Sequence, residues 1–212
     1  MYSRRAALAA ISGGAVVSLS GCALLGDEIE QSADPARVSE QALQGTGYSE
    51  ARMEDQSFEQ TVEINDEERD LRLTNWVTEY RKLPGETEQS AASFLIFTTP
   101  TVTVAGQSAN PFNAFSEEQL IRRLTDQSGR GDATDLEKQR ERETEILGES
   151  VTLSIYQTTQ SVAGQDVDVT MYFGNLANDS DLLFLLGAHP ELLDESENIY
   201  QLAEGIEHPV DP

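Results

Sequence analysis

Apolar and polar residues alternate with a period of two along much of this chain. That spacing places one side of a strand in a core and the other toward water. Phe58, Val62 and Ile64 share one face of an extended stretch, although Gln60 intrudes on it. Leu71, Leu73 and Val77 alternate with Arg72, Thr74, Trp76, Thr78 and Tyr80. In the second half, Val151, Leu153 and Ile155 alternate with Thr152, Ser154 and Tyr156. Val167, Val169, Met171 and Phe173 then oppose Asp166, Asp168, Thr170 and Tyr172. Two runs lack the alternation, Ser93 to Thr99 and Leu182 to Leu186, and their continuous apolar character predicts short strands, the second central and buried on both faces. Turn signals separate the strands at Asn65-Asp66-Glu67-Glu68, Leu83-Pro84-Gly85 and Ala163-Gly164-Gln165, with a loop expected from Asn175 to Asp181.

Helical spacing is confined to three places. Asp34 is the expected N-cap of a first helix, with Pro35 at its first position, Val38, Ala42 and Leu43 on its apolar stripe, and Gly45 and Gly47 ending it. Ser116-Glu117-Glu118-Gln119 forms a capping box ahead of Leu120, Ile121 and Leu124. Asp194-x-x-Glu197 begins the final helix, lined by Ile199, Leu202 and Ile206. Residues 126–145 are polar throughout and read as a mobile loop or as a solvated helix from Asp135. Strand runs joined by short turns favour an α+β fold. The expectation is an antiparallel sheet of about six strands with helices packed on one face, in a single domain over residues 35–212.

The N-terminal stretch follows a different logic. Arg4 and Arg5 precede an apolar run from Ala6 to Leu19 that Ser12, Gly13, Gly14 and Ser18 dilute. It falls short of the roughly 18 apolar residues that suggest a spanning helix. A charged start followed by a short apolar run marks a processed segment, and the arginine pair favours twin-arginine export. Leu19-Ser20-Gly21-Cys22 resembles a prokaryotic lipobox. Residues 1–21 therefore read as a signal peptide, Cys22 as the lipidated mature N-terminus and residues 22–34 as a tether. The alternative is a short apolar helix burying a free cysteine. Acyl chains contribute about 0.8 kcal/mol per buried methylene, so this chain is expected to be anchored on the extracellular face of the cell membrane rather than to span it.

Charge narrows the partners. The chain has 14 Lys and Arg against 38 Asp and Glu, a net charge of −24, and Lys82 and Lys138 are its only lysines. Nucleic acid is excluded as a partner, because phosphate contacts need clustered cations. The carboxylates are spread rather than clustered, which suits a solvated surface in a salt-rich medium where self-repulsion is screened. A halophilic archaeal origin is the resulting expectation, with loss of structure at low salt.

Candidate chemistry is sparse. Cys22 is the one cysteine, so there is no disulfide, zinc cluster or thiol nucleophile. There is no G-x-S-x-G, Walker loop, G-x-G-x-x-G or H-E-x-x-H. No catalytic residue, metal or cofactor is assigned. His189 and His208 each precede a proline and read as a strand-end cap and a helix C-terminal cation, or else as members of a metal or acid–base site. Asp166 and Asp168 share one strand face, which reads as solvated. Asn178-Asp179-Ser180 is an N-glycosylation acceptor and oxygen-rich, but it lacks the length and closing glutamate of a calcium loop. Arg130-Gly131-Asp132 reads as an exposed loop. Trp76, Tyr80, Tyr156 and Tyr172 lie opposite the aliphatic positions of their strands. They are either core beneath helices, the reading preferred here, or the lining of an open face for a sugar, a cationic peptide or a small cofactor.

The combination of SRR, LSGC, TNWVTEY (74–80), NPF (110–112), LLFLLGAHPE (182–191) and EH (207–208) in an acidic, lysine-poor body resembles haloarchaeal twin-arginine-exported lipoproteins of unknown function. The resemblance implies export and anchoring and brings no catalytic residues. The strand–strand–helix ending is also similar to PsbP/Mog1-like α+β domains, which bind partners. The expected function is a non-enzymatic binding module at the cell surface, held by membrane lipid through Cys22 and engaging an unknown ligand or envelope protein. The alternatives are an accessory subunit docked on another envelope protein and a carboxylate-based hydrolase.

Overall fold

Long hairpins dominate the computed structural model, which describes residues 28–64, 67–82, 92–104, 106–128, 134–162 and 165–212. In chain order the elements are β1 (Glu28–Ser32), β2 (Arg37–Val38), α1 (Glu40–Thr46), β3 (Ser49–Ile64), β4 (Glu67–Lys82) and β5 (Ala92–Pro100). A small hairpin of β6 (Thr103–Val104) and β7 (Gln107–Ser108) leads through a 3-10 turn (Pro111–Ala114) into α2 (Glu117–Gln127). The second half comprises β8 (Thr134–Ile146), β9 (Glu149–Val162), β10 (Gln165–Asn178), β11 (Asp181–Pro190), α3 (Ser196–Glu204) and β12 (Ile206–Glu207).

Eight of these strands form one sheet in the order β1-β4-β5-β11-β10-β9-β8, with β3 on the free side of β4. β1 runs parallel to β4, and the other neighbours are antiparallel. The sheet therefore has two strands more than the six expected, β8 beside β9 and β1 beside β4, and it is mixed because β1 adds in parallel at residues 70–74, beyond the stretch that β5 covers. Arg72 secures this addition by reaching Glu28 at 3.1 Å, Glu30 at 2.8 Å and Glu59 at 2.8 Å. Residues 28–32, expected within the tether, thus belong to the sheet.

The two apolar runs explain the layering. In β5, Phe94 and Ile96 point to one side and Leu95 and Phe97 to the other, and all four are buried. β11 divides likewise, with Leu183 and Leu185 against Phe184 and Leu186. Strands apolar on both sides need cover on both sides. Leu43 of α1 and Ile199, Leu202 and Ala203 of α3 supply it on the first face, and Leu120, Ile121 and Leu124 of α2 on the second. Helices packed on one face only are thus replaced by helices on both. The preferred reading of the aromatics holds in part: Tyr80 and Tyr172 are buried on the first face and Tyr156 on the second, whereas Trp76 is only half-buried and Tyr172 also borders an open cleft.

Several boundaries differ from expectation. The capping box at Ser116 and Gln119 forms as read. The first helix instead begins at Glu40, where Ser39 Oγ accepts from the Ala42 N–H, and ends as expected at Gly47, whose φ is 75°. Asp34 and Pro35 lie outside it because Arg37 and Val38 pair with Ile206 and Glu207 as β2 and β12, which also takes Ile206 out of the last helix. Asn175 to Asn178 continue β10, and only Asp179 and Ser180 separate the paired Asn178 and Asp181. Leu147 and Gly148, with φ of 52° and 80°, make the tight left-handed turn between β8 and β9.

The largest correction concerns residues 134–146, which form edge strand β8 rather than a loop or helix. Edge strands tolerate charge on their surfaces, and charge there also opposes edge-to-edge pairing. The signal turn Leu83-Pro84-Gly85, the Arg130-Gly131-Asp132 tripeptide and the N-terminal segment with Arg4, Arg5 and Cys22 lie outside the described residues. Among the described residues, no helix is long and apolar enough to cross a membrane.

Candidate functional site

The first face of the sheet is not wholly covered. Beyond the N-terminus of α3 it opens into a cleft of about 480 Å³. Its floor is formed by Ile155 and Gln157 of β9, Thr170 and Tyr172 of β10, and His189 of β11. Strand pairing sets these together, since Tyr172 opposes Ile155 while Thr170 opposes both Gln157 and His189. Leu193, Asp194 and Ser196 wall one side, and Gln139 and Arg140 of β8 wall the other.

Two features of the backbone shape the walls. Gly187 pairs with Tyr172, and a Cβ there would stand 2.7 Å from Ile199 Cγ2. Its absence lets α3 approach the sheet closely, which carries Ser196 to the floor. On the opposite side the β8–β9 register shifts between Lys138 and Arg140. A bulge of this kind re-aims side chains. Lys138 accordingly opposes Tyr156 and meets Glu117 of α2 at 3.3 Å, whereas Arg140 opposes Ile155 and lines the cleft.

A hydrogen-bonded chain crosses the floor. His189 Nδ1 lies 2.9 Å from the Pro190 carbonyl, which can only accept, so this nitrogen carries the proton. In the neutral imidazole Nε2 then accepts from Tyr172 Oη at 3.1 Å, which leaves Tyr172 Oη to accept from Ser196 Oγ at 2.8 Å. Burial pushes the Tyr172 phenol above its ordinary value, while the Ser196 hydrogen bond and the nearby Arg140 charge pull it down. The phenol stays protonated at neutral pH, as the chain requires.

Charge around the cleft is mixed. Glu191 accepts from Gln157 Nε2 at 3.3 Å. Arg140 and Asp194 line the cleft yet form no ion pair with one another or with any other described residue. The arrangement can therefore hold a small molecule between fixed hydroxyls, amides and two charges of opposite sign that form no ion pair among the described residues.

His208, grouped with His189 in the sequence as a possible site pair, lies elsewhere. Its Nδ1 is 2.8 Å from Asn178 Oδ1 and its Nε2 is 3.1 Å from Asp181 Oδ2. Asp181 Oδ2 also accepts the Asp34 backbone N–H at 2.8 Å, and both the Asp181 and His208 side chains are only 1% exposed. The two histidines flank opposite ends of β11 and do not converge. Asn178, the expected glycosylation acceptor, is half-buried in this closed cluster. Asp166 and Asp168 are exposed on β10, and Asp168 accepts from Thr159 Oγ1 at 3.1 Å. Among the described residues, no group of three or more His, Cys, Asp or Glu side chains is arranged to hold a metal.

Of the cleft residues, sequence reasoning singled out His189 and Tyr172 and missed Arg140, Asp194 and Ser196. Arg140 was hidden in the polar stretch, where Arg140, Arg142, Thr144 and Ile146 at period two were the available signal. Nothing local marks Ser196.

These features define an α+β domain with a solvent-open polar cleft at one end of its sheet. Residues 35–207 match the family described as Domain of unknown function (DUF6517), and the chain belongs to that family. The match includes every residue of the cleft. No curated protein matches the chain.

Proposed function

We propose that this protein is an exported, lipid-anchored cell-surface module that binds a small polar ligand in the cleft over Tyr172, without catalysing its conversion. The observation that carries the reading is the cleft of about 480 Å³ with the preformed Ser196–Tyr172–His189 chain at its base. That volume lies in the range of ligand pockets, and hydroxyls held by buried partners orient a ligand without rearrangement. Export and anchoring rest on Arg4, Arg5 and the Leu19–Cys22 lipobox, and a haloarchaeal source on the acidic, lysine-poor composition.

A thermal-melt screen of the protein in high salt against sugars, peptides, nucleotides and metals tests the binding. A ligand at a hundred times its dissociation constant adds about 2.7 kcal/mol, and Tyr172→Phe should reduce the gain. A blank across the panel overturns the reading. Anchoring is tested separately, since Cys22→Ser should release the protein from the membrane fraction, and continued retention would refute it.

A second reading has one observation in its favour. Leu192 is 96% exposed at the lip of the cleft, between Glu191 and Leu193. A large aliphatic side chain in that position suits contact with an envelope protein, and cross-linking from residue 192 in native membranes would reveal it.

A further inference from the structure

In a chain with 38 acidic residues against 14 basic ones, a guanidinium without a carboxylate partner needs a reason. The bulged strand β8 makes the contrast local. Lys138 pairs with Glu117 and Glu141, and Arg142 pairs with Glu197 while lying 3.7 Å over the Tyr200 ring. Arg140, between them, lines the cleft and makes no ion pair, hydrogen bond or ring contact with the described residues. Across the cleft, Asp194 is equally unpaired, and Glu191 stands beside it with one oxygen on Gln157.

We infer that the cleft takes a short peptide with free termini, its carboxylate on Arg140 and its ammonium on Asp194, an inference that rests on the cleft-binding reading above. A purely anionic ligand would meet Asp194 and Glu191 as like charges, and a purely cationic one would meet Arg140. A neutral polyol would leave both charges unused. A zwitterion satisfies the two at once, and a guanidinium is suited to a carboxylate through paired N–H donors. The cleft volume exceeds that of a single small amino acid and leaves room for a few residues. Gln139, Thr170 and Ser196 are placed to bond peptide N–H and C=O groups, while Leu193 offers an apolar contact.

Titration calorimetry on the full chain in detergent tests this, at the lowest salt that preserves the melting transition. The probes are trialanine, N-acetyl-trialanine, trialanine amide, alanine and maltose. Trialanine should bind, and capping either end should weaken binding tenfold or more. In Arg140→Gln the cost of amidation should disappear while the cost of acetylation remains, and Asp194→Asn should show the reverse. Both side chains are exposed, so both variants should melt as the parent does. Capped and free peptides binding alike, or an amidation cost that survives Arg140→Gln, would overturn the inference, as would alanine binding as tightly as trialanine. Maltose binding with silent peptides would remove the peptide assignment and leave the cleft reading standing. Silence from every probe here and in the wider melt screen would remove both.

Discussion

His189 and His208 sit at opposite ends of strand β11, and their surroundings differ in one decisive respect. His208 is sealed between Asn178 and Asp181, and the Asp34 backbone adds a further donor to the same carboxylate. His189 is also buried, but its chain through Tyr172 ends on Ser196 at an open cleft flanked by Arg140 and Asp194, which form no ion pair among the described residues. The first arrangement uses Asp181 Oδ2, Asn178 and both ring nitrogens of His208 in joining the chain's N-terminal approach to the β10–β11 turn. The second leaves polar groups available. A buried histidine with hydrogen bonds is thus a fastener at one end of the strand and the base of a candidate binding site at the other.

The largest expected effect separates the two ends by stability. Asp181→Ala leaves two buried donors, His208 Nε2 and the Asp34 N–H, without their acceptor, and each unsatisfied buried group costs about 1–3 kcal/mol. Urea unfolding should show that loss, with trialanine affinity unchanged in the folded protein. A loss below about 1 kcal/mol would place the cluster with exposed pairs and erase the contrast.

Gly187→Ala comes next. The added methyl collides with Ile199, and overpacking of this kind costs about 1–3 kcal/mol. Because the collision pushes α3 away from Tyr172, this variant should lose both stability and the ligand-induced rise in melting temperature. A stability loss with the ligand response intact would show that the position of α3 does not set the cleft.

Tyr172→Phe should cost about 1 kcal/mol, the net value of a typical internal hydrogen bond, while the ligand response falls further than stability does. Equal effects on both would make the chain a second fastener.

The smallest effect at neutral pH appears in strong base. Burial raises the Tyr172 and Tyr80 phenols above the ordinary value of 10.0, and burial together with Glu117 raises Tyr156. A phenol raised on folding favours the neutral form in the native state. Its contribution is therefore complete below pH 10.0 and is lost as pH rises through the higher native values. Urea midpoints should fall steadily above that point, and Tyr172→Phe should flatten the decline. A decline unchanged by the substitution would assign the titration to the other two rings.

Much of the sheet was legible because its evidence is local. Leu71, Leu73 and Val77 announce a half-buried strand by spacing alone, and the unbroken run in β11 announces burial on both sides, while that in β5 announces a short apolar strand. Ser116 and Gln119 specify a helix start within four residues. β8 was missed because a two-residue period carried by Arg140, Arg142 and Thr144 contains almost no hydrophobic contrast. Its strand state comes from pairing with β9. The first helix was misplaced because Asp34-Pro35 is a sound local start that loses to the β2–β12 pairing, made with residues at the far end of the chain.

The sequence by itself determined the strand faces, the α2 cap, the acidic surface and the absence of recognisable catalytic motifs, since each depends on neighbours within a few positions. Only the tertiary structure decided that helices cover both faces, that a bulge turns Arg140 from the α2 side to the cleft, and that His189 rather than His208 stands at an opening. Those outcomes depend on contacts between residues far apart in the chain, such as Tyr172 with Ser196 and Gly187 with Ile199. Local periodicity carries no information about which distant partner will close the packing.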